Sequence, residues 1–197
     1  MFERVPNRPF EWIAPPQASF LEISDWGLDD AITRKIADLL GSRVRVQAID
    51  ISQQDFETWT YASLDRHIRE LPLPETAVDA YLLVLRDWRG DEIGRSNHHV
   101  GGLGLYRRDL SGGRERLGVF ASYRLLLVNP DTGEVIVEAP ALLSDGHLPW
   151  LPAARSLWPR TQNDLTAARR HTLNEDFMKL IDETLPAALR KLGLDGP

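Results

Sequence analysis

The sequence predicts an α/β domain with α+β character: a single mixed β-sheet of about five or six strands, three main helices and a long antiparallel hairpin. Three observations predict it. Asp79-Ala-Tyr-Leu-Leu-Val-Leu85 is almost continuously apolar, as expected of a central strand covered on both faces. Gly118-Val-Phe-Ala-Ser-Tyr-Arg-Leu-Leu-Leu-Val128 and Glu134-Val-Ile-Val-Glu138 flank Asn129-Pro-Asp-Thr-Gly133, a turn in which proline presets one backbone angle and glycine accepts a positive one. Ile32, Ile36, Leu39 and Leu40 recur at i, i+4, i+7 and i+8, the stripe of a helix with one buried face.

The elements follow in order. Residues 1–17 are proline-rich and aperiodic and read as an irregular arm; residues 18–197 read as one domain. Ala18–Ile23 is a first strand. The first helix starts with Asp29 or Asp30 as cap and stops at Gly41. Arg43–Ile49 alternates as a strand, which predicts a right-handed parallel crossover. A second helix spans Gln54–Leu71, with Phe56, Trp59, Leu64, Ile68 and Leu71 on one face, and Leu-Pro-Leu-Pro74 stops it. Gly146–Arg160 reads as a packed surface loop, and Gln162–Leu192 as a final helix kinked or divided at Pro186.

Composition narrows the function classes. There is no cysteine among 197 residues, which removes disulfides, thiolate nucleophiles and cysteine-ligated metals. A net charge of −6 repels nucleic acid on average. The basic runs Arg107-Arg108, Arg114 and Arg116 are interrupted by Asp109 and Glu115 and read as solvated arginines. No run reaches the ~18 apolar residues of a membrane span. No apolar leader opens the chain, so the expected location is cytoplasmic, or periplasmic where a leader has been removed.

Candidate chemistry centres on Gly94–Tyr106. His98 and His99 could bind a metal from a loop, with Asp87, Asp91, Glu92 or His147 as further ligands; on a strand the two rings would point to opposite faces. No metal-binding spacing accompanies them, and hydrogen bonding within the loop is the simpler role. Gly101-Gly102-Leu-Gly104 lacks the lysine and following helix of a phosphate loop and predicts a bulge or a close chain crossing. Ser144-Asp145-Gly-His147 has the residue types of a triad without a nucleophile elbow. Of the paired carboxylates Asp29-Asp30, Asp91-Glu92 and Glu175-Asp176, the first and third sit near predicted helix starts or turns, where negative charge favours the dipole or faces water, and acid–base catalysis is the lesser reading of all three. Trp150 and Trp158 flank prolines and either cover the core or form an apolar contact patch.

The strand Asp79–Leu85, the polar glycine-containing Gly94–Tyr106 segment and the Leu127-Val-Asn-Pro-Asp-Thr-Gly-Glu-Val135 hairpin together resemble the α/β domain at the start of TolB and in CsgG-like envelope lipoproteins. The resemblance covers roughly Ala18–Leu143 and a terminal helix. It implies a non-catalytic, envelope-associated protein that acts by binding another protein or itself, with no cofactor, no metal and no catalytic residues. The expected contact residues are Asn97, His98, His99, Tyr106, Trp150 and Trp158, with the edge of the 118–138 hairpin as a further surface. The alternative is a metal-dependent or small-molecule-processing enzyme built on the His98/His99 loop.

Overall fold

The computed structural model describes residues 26–47, 63–71, 78–87, 91–92, 99–110, 114–158 and 164–194. Among these residues three α-helices, α1 (Leu28–Leu40), α2 (Leu64–Glu70) and α3 (Ala167–Lys191), accompany seven strands: β1 (Tyr81–Arg86), β2 (Asp91–Glu92), β3 (His99–Val100), β4 (Gly102–Leu110), β5 (Arg114–Val128), β6 (Val135–Pro140) and β7 (Trp150–Pro152). Five strands form one sheet; β2 and β3 form a separate short ribbon.

The sheet is organised around β5, which pairs antiparallel with each of the other four strands. On one flank β1 pairs with residues 123–128 and β4 with residues 114–122. On the other, β6 pairs with residues 124–128 and β7 with residues 118–120. The centre of the sheet is therefore β5 and not Tyr81–Leu85, whose described neighbour is β5 alone. Tyr81–Leu85 is nevertheless covered on both faces, as its apolar run requires.

Alternation along the strands divides the core. Val119, Ala121, Tyr123 and Leu125 face α1 and α3, packing with Phe177, Leu180, Ile181, Leu185 and Leu189. On the opposite face, Tyr81, Leu83, Leu85, Leu126 and Val128 pack with Leu64 and Ile68 of α2 and with Leu71 just beyond it. Further along that face Tyr106 and Phe120 meet Val100 and Leu148. Burying a residue such as Ile68 or Leu180 contributes roughly 1.5–3 kcal/mol.

The hairpin β5–β6 forms where Asn129–Gly133 predicts it. Asn129 Oδ1 accepts from the N–H of Asp131 at 2.8 Å, and Gly133 takes φ 65°. The anticipated close crossing at the glycine run also exists: a Cβ on Gly101 would lie 2.6 Å from the carbonyl oxygen of Asp87.

Other elements differ from expectation. Val44–Gln47 follows a 3-10 turn (Gly41–Arg43) without joining the sheet, and every described pairing is antiparallel; alternation alone supplied no partner strand. Gly27 occupies the N-cap of α1, and Asp29 and Asp30 sit in its first turn, where their charge favours the helix dipole. Within the predicted loop at 146–160, Trp150–Pro152 forms β7, and a 3-10 turn covers Arg155–Leu157. Helix α3 runs undivided for 25 residues with Pro186 inside it, because Leu185, Ala188 and Leu189 continue the buried stripe past the proline. The Ala18–Ile23 strand, residues 54–62 of the second helix, and the arm fall outside the described residues.

Candidate functional site

The chains flanking β5 depart from the sheet at the same level. On one side the Asp87 N–H still donates to the Ser122 carbonyl at 3.0 Å before the chain leaves, to return at β4. On the other the Ala141 N–H donates to Tyr123 O at 2.9 Å, and Ala121 N–H to Pro149 O at 3.3 Å, bracketing the 142–148 excursion. Residues 121–124 of β5 thus form the junction of the fold.

Arg124 occupies this junction and is fully buried. Its Nη2 donates to Asp87 Oδ1 at 2.6 Å, and its Nη1 donates to Glu138 Oε2 at 2.8 Å. Asp87 lies just beyond β1 and is itself buried, whereas Glu138 in β6 keeps its carboxylate one-third exposed. A planar guanidinium suits this task, since it donates in two directions within one plane. The chemistry available here is fastening: both terminal nitrogens hold carboxylates, one on each flank of the central strand. Asp87, raised above as a metal ligand, is engaged by Arg124 instead.

A second arrangement lies further along the same face. Trp150 pairs with Phe120 in β7, and a Cβ on Gly118 would come within 2.6 Å of Trp150 Cε3. The absence of a side chain at 118 lets the indole approach the sheet. The guanidinium carbon of Arg116 sits 4.4 Å from the Trp150 ring centroid, in cation–π contact.

The expected contact residues separate accordingly. Tyr106 is only 6% exposed and belongs to the core with Phe120. Trp150 is half-buried against that same cluster. Trp158 is half-buried at the end of the 3-10 turn and lies outside the cluster. Asn97 and His98 lie outside the described residues; His99 is placed by its backbone in β3, opposite Glu92.

The remaining motifs have local explanations. The Asp145 carboxylate accepts from the His147 N–H at 3.0 Å, closing a turn with Gly146 N–H donating to Leu143 O. On α3, Asp176 holds Lys179 at 3.0 Å and Glu175 lies 3.4 Å from His171. Among the described residues no three His, Asp or Glu side chains gather into a set that could hold a metal ion. A cavity of about 150 Å³ lined by Trp26, Arg170, His171 and Asn174 is smaller than the ~300–1,000 Å³ of typical small-molecule sites.

The outer edge of the sheet carries a further feature. Among the described residues β6 pairs with β5 alone. Its Ile136, at the irregularity in the β5–β6 register, is 57% exposed. No described helix is long and apolar enough to cross a membrane. Comparison of the chain with protein-family models, with curated proteins and with solved structures finds no match.

Proposed function

We propose that the protein is a non-catalytic binding or assembly module of the bacterial cell envelope, acting by protein–protein contact at the outer edge of β6. The observation that carries this reading is Ile136, a large apolar side chain more than half exposed on a strand with one described neighbour. Exposed strand edges pair readily with other chains, and charge on the edge is a common guard against this. Here the Glu138 carboxylate is drawn to Arg124, which weakens that guard. The simplest occupant is a second copy, which pairs edge to edge about a two-fold axis. The envelope location is supported by the TolB/CsgG-like resemblance in the strand, glycine segment and hairpin.

Light scattering of the full chain across a wide concentration range tests the contact. The expected result is a mass rising above the 22.3 kDa of one chain and returning to it in Ile136→Lys. A strictly monomeric protein, or an oligomer indifferent to Ile136→Lys, would contradict it.

A further inference from the structure

The 142–148 excursion turns back at an exposed tip. Leu143 N–H donates to His147 O at 2.9 Å and Gly146 N–H to Leu143 O at 2.9 Å, which closes a three-residue loop over Ser144, Asp145 and Gly146. Loops of this kind place their last residue in the left-handed region, and Gly146 takes φ 81°. The backbone therefore favours glycine here over any residue with a side chain. Because Asp145 directly precedes it, the turn creates an Asp–Gly dipeptide for purely conformational reasons.

Access and orientation both make that dipeptide reactive. Ser144, Asp145, Gly146 and His147 are all exposed, and nothing lies within 4 Å of where a Cβ on Gly146 would sit. The Asp145 side chain is also held in place: its Oδ1 accepts from the His147 N–H at 3.0 Å. The small ring closed by this hydrogen bond contains both the Asp145 carboxyl carbon and the Gly146 nitrogen. Joining those two atoms is thus an intramolecular step between groups already brought together. One contact opposes it, because the Gly146 N–H must leave Leu143 O before its nitrogen can attack. A single exposed hydrogen bond slows such a step by about tenfold at most. A turn tip opens locally without the rest of the fold.

We infer that Asp145–Gly146 is a site of spontaneous covalent modification, at which Asp145 converts to a β-linked aspartate through a cyclic imide. The Gly146 nitrogen bonds to Asp145 Cγ. Its proton, one carboxyl oxygen and one proton from solvent leave together as water. Water then opens the ring. Attack at Cγ restores Asp145. Attack at the main-chain carbonyl carbon breaks its bond to the Gly146 nitrogen, so the chain runs on through Cβ and Cγ and the former carbonyl becomes a free carboxylate. Nothing is oxidised or reduced, and water is the only other reactant. The product has an extra methylene in its backbone, and the three hydrogen bonds of the turn lose their spacing. Leu148 and Pro149 follow directly. Leu148 is buried with Tyr106 and Phe120, and Pro149 O accepts from the Ala121 N–H at 3.3 Å. The modification therefore pulls on the point where the excursion returns to the central strand. The displaced carboxylate is also a substrate for a carboxyl methyltransferase that uses S-adenosylmethionine.

The test incubates the full chain at physiological temperature and pH beside a synthetic peptide of residues 140–150. Peptide mapping locates β-linked aspartate, and methyl transfer from S-adenosylmethionine by an isoaspartate-specific methyltransferase measures it. Mapping also separates this site from the chain's other Asp–Gly, Asp195–Gly196. The expected result is conversion at Asp145 in the folded chain at a rate within about tenfold of the peptide's, by way of a species lighter by one water. Asp145→Ser, which keeps an oxygen for the His147 N–H, is expected to remove the signal at this position. The converted chain, isolated by chromatography, is expected to melt lower than the parent and to exchange faster at the amides of Leu143, Gly146 and His147. Conversion slower than that margin would overturn the inference, since the turn would then shield the dipeptide. A converted chain that melts and exchanges like the parent would overturn the claim that the turn is disrupted. None of these outcomes alters the light-scattering test at Ile136.

Discussion

Arg124 Nη2 lies 2.6 Å from Asp87 Oδ1, with both side chains withdrawn from water, and this contact fastens the end of β1 to the middle of the central strand. The same guanidinium holds Glu138 on the other flank. Replacing one member of a buried pair strands the other, at about 3–5 kcal/mol, whereas replacing both with apolar residues of similar volume can be nearly neutral. Arg124→Met is therefore expected to lower stability by about that amount, and Glu138→Gln, at a partly exposed position, by much less. Arg124→Met/Asp87→Leu is expected to recover part of the loss. Denaturant unfolding of the three variants checks the order.

The approach of Trp150 to Gly118 gives a second expectation. A methyl group at 118 would meet Trp150 Cε3 at 2.6 Å and Leu151 O at 2.9 Å, so the indole or β7 must shift. Gly118→Ala is expected to cost about 1–3 kcal/mol, the usual range for overpacking. The Arg116–Trp150 stacking is disturbed with it. Denaturant unfolding and the near-ultraviolet circular dichroism of the tryptophans report both effects.

Tyr123 provides a pH expectation. Its hydroxyl and the Thr184 hydroxyl share a buried 2.9 Å hydrogen bond, and Thr184 Oγ1 in turn donates to Leu180 O at 2.8 Å. Burial pushes the phenol strongly upward from its usual value. The folded state thus holds this proton more tightly than the unfolded state. The resulting stability is complete below the unfolded tyrosine pKa of about 10 and declines as pH rises above it. Tyr123→Phe is expected to lose about 1 kcal/mol near neutrality and to unfold less steeply with rising alkaline pH. Thermal melts of parent and variant from neutral to strongly alkaline pH make the comparison.

How far the sequence revealed the fold depended on whether a signal was local. Asn129–Gly133 specified its own hairpin, and Ile36, Leu40, Leu64 and Ile68 marked buried helix faces by spacing alone. Gly101 announced a crowded backbone, although not that Asp87 would supply the crowding. The central strand was obscured by its own content. Ser122, Tyr123 and Arg124 interrupt the apolar run of β5, while the cleaner Tyr81–Leu85 run looked more interior. A buried arginine reads as a surface residue until its carboxylates are known, and these lie 37 and 14 residues away along the chain.

Amide hydrogen exchange at Ile136, followed as protein concentration is raised, tests the central claim most directly. If the edge of β6 is where chains meet, exchange at Ile136 and its neighbours on that strand slows as the protein is concentrated, and Ile136→Lys abolishes the concentration dependence at the neighbouring amides. Exchange along β6 that is the same at every concentration, while the scattering mass rises, would place the contact elsewhere and contradict the account.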